Sequence, residues 1–214
     1  MYKNHNPRRE SDNYQTPFRL AQGICSRLQK LIHPPKFIME PSAGAGRFVM
    51  ASKEYWPEAD ITAVEVREEC EVVLRDCGTS RVLMGTWEEA NLTDLPVPDL
   101  IVGNPPYEFA QEHLELALKR VRQPHRVPPG SPIYIPGAPG GYVAFLLRMA
   151  FLNSQARVES LWDQRKGFRY LLPLAERPSF TEDGKSEHSE YAVYIFQAGW
   201  QGNAEILPHL WWKT

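Results

Sequence analysis

Asn104, Pro105, Pro106 and Tyr107 follow directly on the run Asp99-Leu100-Ile101-Val102-Gly103. The run is short, apolar and β-branched, which predicts a buried strand over 99–103. Two prolines then end it, because proline fixes φ and cannot donate to a ladder. The result is a rigid corner at the C-terminal end of a strand, where open α/β sheets bind ligands. The corner carries an amide at Asn104, a constrained backbone carbonyl at Pro105 and a flat ring at Tyr107. Two hydrogen-bond acceptors beside an aromatic platform suit a planar ring bearing an exocyclic NH2. Alone, the same residues would also make an ordinary strand-ending turn, so the remainder of the chain decides.

A second constellation lies upstream. Glu40-Pro41-Ser42-Ala43-Gly44-Ala45-Gly46 leaves a strand predicted over 36–40 and enters a helix predicted over roughly 47–55. Small residues at Ser42, Gly44 and Gly46 let the backbone turn tightly and approach a ligand closely. The helix that follows turns its first amides toward that ligand. Glu65 ends the next strand, Ile61 to Val64. An acid there is placed to bind two ribose hydroxyls. The competing reading is a surface glutamate opening the next helix, since Arg67-Glu68-Glu69 continues in charge. The arrangement fits a nicotinamide dinucleotide as well as other adenosine ligands.

The elements that hold these residues alternate. A helix is predicted from Thr16-Pro17, with Thr16 as hydroxyl cap and Pro17 as first helical residue, ending before His33-Pro34-Pro35. Further helices are predicted over 67–77, 108–122 and 148–163, and further strands over 81–84, 142–147, 168–174 and 191–197. Trp87, just after the third of the strands, is placed for an adenine ring or for the core rim. The pattern predicts an α/β fold, a mostly parallel seven-stranded sheet with a C-terminal antiparallel hairpin. Residues 1–13 are polar and predicted to be a flexible tail, with one domain over 14–214. Within it, the stretch 123–141 is rich in proline and glycine, too long for an ordinary connection, and reads as a lid or binding loop in which His125 and Arg126 could meet phosphates.

Bulk properties narrow the class. The chain has 214 residues, enough for a sizeable α/β core, with ordinary hydrophobic (43%) and charged (23%) content. No stretch approaches the roughly 18 apolar residues of a membrane span, and the polar N-terminus lacks a signal-peptide core. Cys25, Cys70 and Cys77 form no CxxC pair and read as reduced thiols in a cytoplasmic protein, with no metal site. The net charge of −2 gives no global sign of a nucleic-acid partner. Local basic groups (Lys3, Arg8 and Arg9; Arg120, Arg122 and Arg126; Arg165, Lys166 and Arg169) could bind phosphate or form solvated faces.

Taken together, the motifs resemble those of S-adenosylmethionine-dependent DNA methyltransferases of the adenine N6 type, especially small phage- and prophage-type members. The resemblance runs from Tyr14 to about Gln197. It rests on Asn13-Tyr14-Gln15-Thr16-Pro17, Glu40 through Gly46, Val64-Glu65, Asp99 through Tyr107, and Arg177-Pro178-Ser179-Phe180. It implies a Rossmann-like class I methyltransferase fold. Thr16, Pro17, Glu40, Ser42, Gly44, Gly46 and Asn104 would then line S-adenosylmethionine, with Glu65 on its ribose. Asn104 and Pro105, held by Pro106, would accept hydrogen bonds from the target amine. Tyr107 would stack on the flipped base, and Phe180 would be a second base-packing aromatic.

Two departures stand out. Many relatives place an acid after the third strand; here Gly85-Thr86-Trp87-Glu88 offers only Glu88. No separate target-recognition region is read after residue 197, so sequence specificity is expected to be short, weak or supplied by a partner, and a homo-oligomer is the other partner expected. The Asn-Pro-Pro-Tyr corner also occurs in methyltransferases of RNA and of protein glutamine, which are the main alternatives. A non-catalytic cofactor-binding subunit would have no need of the corner, and a nicotinamide oxidoreductase would leave it unexplained.

Overall fold

Strand residues here are apolar on both sides of the pleat, and that decides the layering. In the strand Tyr142–Arg148, Tyr142, Ala144 and Leu146 join one buried cluster, while Val143, Phe145 and Leu147 join another. The strand Tyr191–Gln197 divides in the same way, with Tyr191, Val193 and Ile195 on one face and Ala192, Tyr194 and Phe196 on the other. A sheet apolar on both faces must be covered on both faces. The computed structural model, which describes residues 15–124, 140–162, 166–180 and 188–213, shows such a sheet.

The strands are β1 (Phe37–Glu40), β2 (Asp60–Glu65), β3 (Arg81–Met84), β4 (Leu100–Gly103), β5 (Tyr142–Arg148), β6 (Phe168–Pro173), β7 (Tyr191–Gln197) and β8 (Glu205–Ile206). Their order is β3-β2-β1-β4-β5-β7-β6-β8. The first five run parallel, and β7 slots antiparallel between β5 and β6. The predicted seven-stranded sheet is thus corrected to eight. The two-residue β8 pairs parallel with β6, and both of its residues are exposed, so neither length nor apolar pattern announces it.

The helices α1 (Phe18–Leu31), α2 (Arg47–Tyr55), α3 (Glu71–Asp76) and α4 (Ala110–Arg120) lie close to their predicted places. Leu20, Ala21, Ile24, Cys25 and Leu28 form the buried stripe of α1, at the i, i+3, i+4 spacing of an amphipathic helix. Its start differs from expectation. Pro17 itself is the cap, with φ −56° and ψ 135°, and no side chain caps the helix. Pro17 O accepts from the Leu20 and Ala21 amides, and Thr16 is buried instead of capping.

The long helix predicted over 148–163 does not form. Met149–Leu152 is one 3₁₀ turn, and a short helical piece covers Gln155–Arg157 and continues as a π-turn over Val158–Trp162. Arg148 belongs to β5, so the strand takes the first residue of that pattern.

The predicted tail 1–13, His125 and Arg126 in the proline-rich stretch, and residues 181–187 lie outside the described residues, as do Lys3, Arg8, Arg9 and Arg165. Three arginines of the basic groups hold the fold itself. Arg120 donates to the Trp87 and Glu88 carbonyls and covers the Trp87 ring at 4.2 Å. Arg122 pairs with Asp99 at 2.7 Å. Arg169 bonds Tyr142 and Gln197 and covers the Trp200 ring. Cys25 and Cys70 are buried, Cys77 is half-buried, and all three are free thiols. Burial pushes the Cys25 thiol up to about 12. Among the described residues no helix is long and apolar enough to cross a membrane.

Candidate active site

The site follows from the strand order. The chain leaves β1 for β2 and β3 on one side, then crosses to β4 on the other. The crevice at such a reversal, at the C-terminal rim, is where open α/β sheets take ligands. Glu40 ends β1, Glu65 ends β2 and Gly103 ends β4. A Cβ on Gly103 would lie 3.5 Å from the Glu40 side chain and 3.6 Å from Pro41. These are ordinary contact distances, and they set the residue before Asn104 against the start of the glycine-rich loop.

That loop is pinned from beneath. The Ala43 amide donates to Val64 O, tying the loop to β2. Gly44 and Gly46 both have positive φ, 55° and 71°, which side-chain-bearing residues rarely adopt. At Gly46 a Cβ would also come within 2.6 Å of the Cys77 Sγ, so α3 packs against bare backbone. Ser42 turns its hydroxyl back onto the Pro41 carbonyl.

Glu65 is the keystone of the β2 end. It is 4% exposed, and its carboxylate accepts from the Gly44 amide at 2.7 Å, the Val66 and Arg67 amides at 3.0 and 2.9 Å, and Arg67 Nε at 3.0 Å. Burial by itself raises this carboxyl, but the Arg67 side chain and amide and the Gly44 amide together outweigh it and hold it below the ordinary range.

Glu40 and Asn104 differ from Glu65. Glu40 is 3% exposed, and its Oε2 has no hydrogen-bond partner among the described residues. Burial pushes its carboxyl well up, the Val49 amide opposes this, and the charge of Glu65 adds to it. The Asn104 Oδ1 is likewise buried with no hydrogen-bond partner among the described residues. Two adjoining strand ends thus each carry a buried oxygen with no hydrogen-bond partner among the described residues. A buried acceptor without a donor costs about 1–3 kcal/mol, so a ligand that brings N–H groups recovers that energy.

An aromatic wall stands beyond Asn104. Tyr107 meets Phe180 edge-on, with centroids 6.4 Å apart, and Tyr191 at 5.8 Å. Phe180 in turn meets Tyr191 at 5.2 Å. The Phe180 carbonyl accepts from the Gln15 amide at 3.3 Å, which brings Thr16 and Pro17 to the same place although they are far off in sequence. Arg148, at the end of β5, holds its guanidinium 4.9 Å from the centre of the Tyr107 ring.

The structure therefore gathers Glu40, Ser42, Gly44, Gly46, Glu65 and Asn104 around one crevice, and sets Tyr107, Phe180, Thr16 and Pro17 at its far side. Pro105 is buried, and Pro106 opens the turn over Tyr107–Phe109. Trp87 goes to the core at 2% exposure, beneath Arg120. Glu88 faces the buried His113 at 3.2 Å.

Three neighbours of the site were missed. Arg67 could have been suspected as the only cation beside Glu65 in the sequence. Arg148 continues the buried series Tyr142, Ala144, Leu146, where a core residue is expected. Tyr191 carries no local signal.

No protein-family model matches the chain. Over 99 residues it is 32% identical to the type II methyltransferase M.XamI of Xanthomonas campestris pv. amaranthicola. That match covers 43% of this chain and 19% of that protein, so the chain spans about a fifth of its relative's length. Among solved structures, it is similar to a candidate class I S-adenosylmethionine-dependent methyltransferase of Listeria monocytogenes, with TM-score 0.65 and 15% identity over 94% of this chain and 67% of that one. It is similar also to a candidate RNA methyltransferase of Pyrococcus horikoshii, with TM-score 0.64 and 18% identity over 91% of both chains. The fold is the Rossmann-like class I methyltransferase fold. The crevice between β1 and β4 is that fold's topological switch point.

Proposed function

We propose that the chain is an S-adenosylmethionine-dependent methyltransferase acting on an exocyclic amine, the N6 of adenine in DNA. The observation that carries the reading is the buried Oδ1 of Asn104, without a hydrogen-bond partner among the described residues and next to the start of the glycine-rich loop. The residues of the crevice fit the cofactor. Glu40 carries a buried carboxyl oxygen without a hydrogen-bond partner among the described residues, Gly44 and Gly46 carry no side chains at the turn, and Glu65, whose oxygens are taken by Gly44, Val66 and Arg67, shapes the end of β2 where a ribose would lie. When bound, S-adenosylmethionine supplies a methyl group activated by its sulfonium.

The chain's own task is to prepare the nucleophile. An aromatic amine is a poor one because its lone pair is delocalised into the ring. Asn104 Oδ1 and the Pro105 carbonyl each accept one N–H, which favours a pyramidal nitrogen with its lone pair directed at the methyl. Positioning of this kind contributes as much as roughly 7–11 kcal/mol. As the N–C bond formed and the sulfonium S–C bond broke, the nitrogen would become positive and both acceptors would hold it more strongly, its surplus proton leaving to solvent after transfer. No side chain is needed to remove a proton before attack. The target base leaves the duplex at a cost of a few kcal/mol, and stacking on Tyr107, with Phe180 behind it, returns about 1–3 kcal/mol.

The DNA reading is supported by Phe180 packing on Tyr107, by the Gln15 amide that brings the Thr16-Pro17 segment to Phe180, and by the relative named as a type II methyltransferase. It takes residues 14–214 as one catalytic domain working in the cytoplasm, with sequence choice from the loops or from a partner or second copy. The test is transfer of labelled methyl from S-adenosylmethionine to unmethylated DNA, to RNA and to protein, each offered separately. The expected result is label in DNA, recovered as N6-methyladenine. Label in RNA or protein alone would replace the substrate and keep the chemistry.

A further inference from the structure

Arg148 occupies a position that core packing would give to an apolar side chain. In β5, Tyr142, Ala144 and Leu146 enter the buried cluster that also holds Phe180 and Tyr191, and Arg148 is the next residue on that face. It is paired in register with Tyr191, and its Nε reaches the Tyr191 hydroxyl at 3.4 Å. Its guanidinium carbon lies 4.9 Å from the centre of the Tyr107 ring, as a cation on the ring's π-face. A base stacked on that face would sit at about 3.5–4 Å. The two cannot share it.

We propose that Arg148 is a substrate-binding residue that keeps the face of Tyr107 until the target base takes it, and then pairs with a phosphate of the strand carrying that base. The inference rests on the reading of Tyr107 as the platform for a flipped base. A guanidinium suits both stations. Its plane covers an aromatic ring, and its fork of N–H donors matches two phosphate oxygens. Arg148 lies at the C-terminal end of β5, which neighbours β4 in the parallel sheet, so it stands at the same rim as Asn104. The exchange would spare Tyr107 an unstacked face between turnovers and would tie base entry to the presence of a phosphate. That makes the acceptor a nucleotide and disfavours a protein side chain.

The experiment is a salt series. Binding of a labelled, unmethylated DNA duplex is followed by fluorescence anisotropy from 50 to 200 mM salt, for the wild type, Arg148→Ala, Arg148→Gln and Arg148→Lys. Both neutral variants should lose one phosphate contact, so their log-log salt slope becomes shallower by about 0.9. Their deficit against the wild type should therefore shrink by about three- to fourfold across the series. Arg148→Lys should keep the wild-type slope. Thermal melts of each variant confirm folding, and Arg148→Gln serves if Arg148→Ala does not fold. Neutral variants with the wild-type slope would overturn the proposal, and so would a wild type that binds no DNA. Neutral variants that show the slope change, beside a wild type that methylates no base, would sink the reaction while leaving Arg148 as a phosphate ligand. Methylation of adenine with an unchanged slope would do the opposite.

Discussion

The end of β2 and the paired ends of β1 and β4 are both buried rims with a polar residue at the tip, yet they stand in opposite states. At β2, Glu65 accepts from three backbone amides and from Arg67, and the network is closed within the protein. At β1 and β4, Glu40 Oε2 and Asn104 Oδ1 are buried without a hydrogen-bond partner among the described residues. The first rim shapes the loop whether or not anything is bound. The second, on the proposed reading, would be completed by the bound cofactor and target. On the proposed reading the comparison separates scaffold from chemistry: the closed network shapes the loop, and the buried acceptor of Asn104 is where the target amine would sit.

Breaking the closed rim should have the largest effect. Glu65→Ala removes the acceptor shared by Gly44, Val66 and Arg67, and a broken buried pair costs about 3–5 kcal/mol. The expected outcome is a large drop in melting temperature together with loss of cofactor affinity, read by thermal denaturation and calorimetry. A stable variant with normal affinity would mean that the Glu65 network neither holds the loop nor shapes the cofactor site.

Tyr107 comes next. Tyr107→Ala should weaken DNA binding by about 1–3 kcal/mol, the worth of one base stacked on an aromatic ring, while Tyr107→Phe keeps it. Titration of DNA against both variants checks this, and equal losses would shift the role from the ring to the hydroxyl.

The smallest effect sharpens the comparison through pH. Glu65 is held below its ordinary value of 4.5, so the folded protein binds its proton less readily than the unfolded chain. Its contribution is present above about pH 4.5 and is lost as pH falls through the lowered value. Glu40 is raised above 4.5, so its sign is reversed. Its contribution is present below about pH 4.5 and fades as pH rises toward the raised value. Glu40→Gln should therefore melt higher than the wild type at pH 8 and match it near pH 4. Glu65→Gln should lose most at neutral pH and converge on the wild type in acid. Parallel pH profiles for the two variants would erase the distinction between the rims.

What the sequence made legible follows the same division. β3 and β7 lie where their apolar runs place them, and the site motifs stand at strand ends because a strand must stop where Gly and Pro intervene. Glu40, Glu65 and Asn104 could thus be assigned to one rim before any coordinates. The state of each could not, because partners such as Arg67 depend on how a side chain folds back.

Local signals also lost to packing. The spacing over 148–163 reads as a helix, but β5 extends through Arg148 to pair with Tyr191, and the rest folds as short turns. Thr16 has the chemistry of a cap, yet its segment is drawn against Phe180 and buried. Two exposed residues of β8 carry no pattern to read.

The most direct test of the account is Asn104→Ala, with cofactor binding measured by calorimetry and methyl transfer by single turnover on the same preparation. The account predicts that the variant still binds the cofactor and that transfer is slowed by about 10²–10³-fold, the scale of losing one preorganised transition-state contact. Normal turnover by Asn104→Ala would contradict it, since the open acceptor at the end of β4 would then have no part in the chemistry.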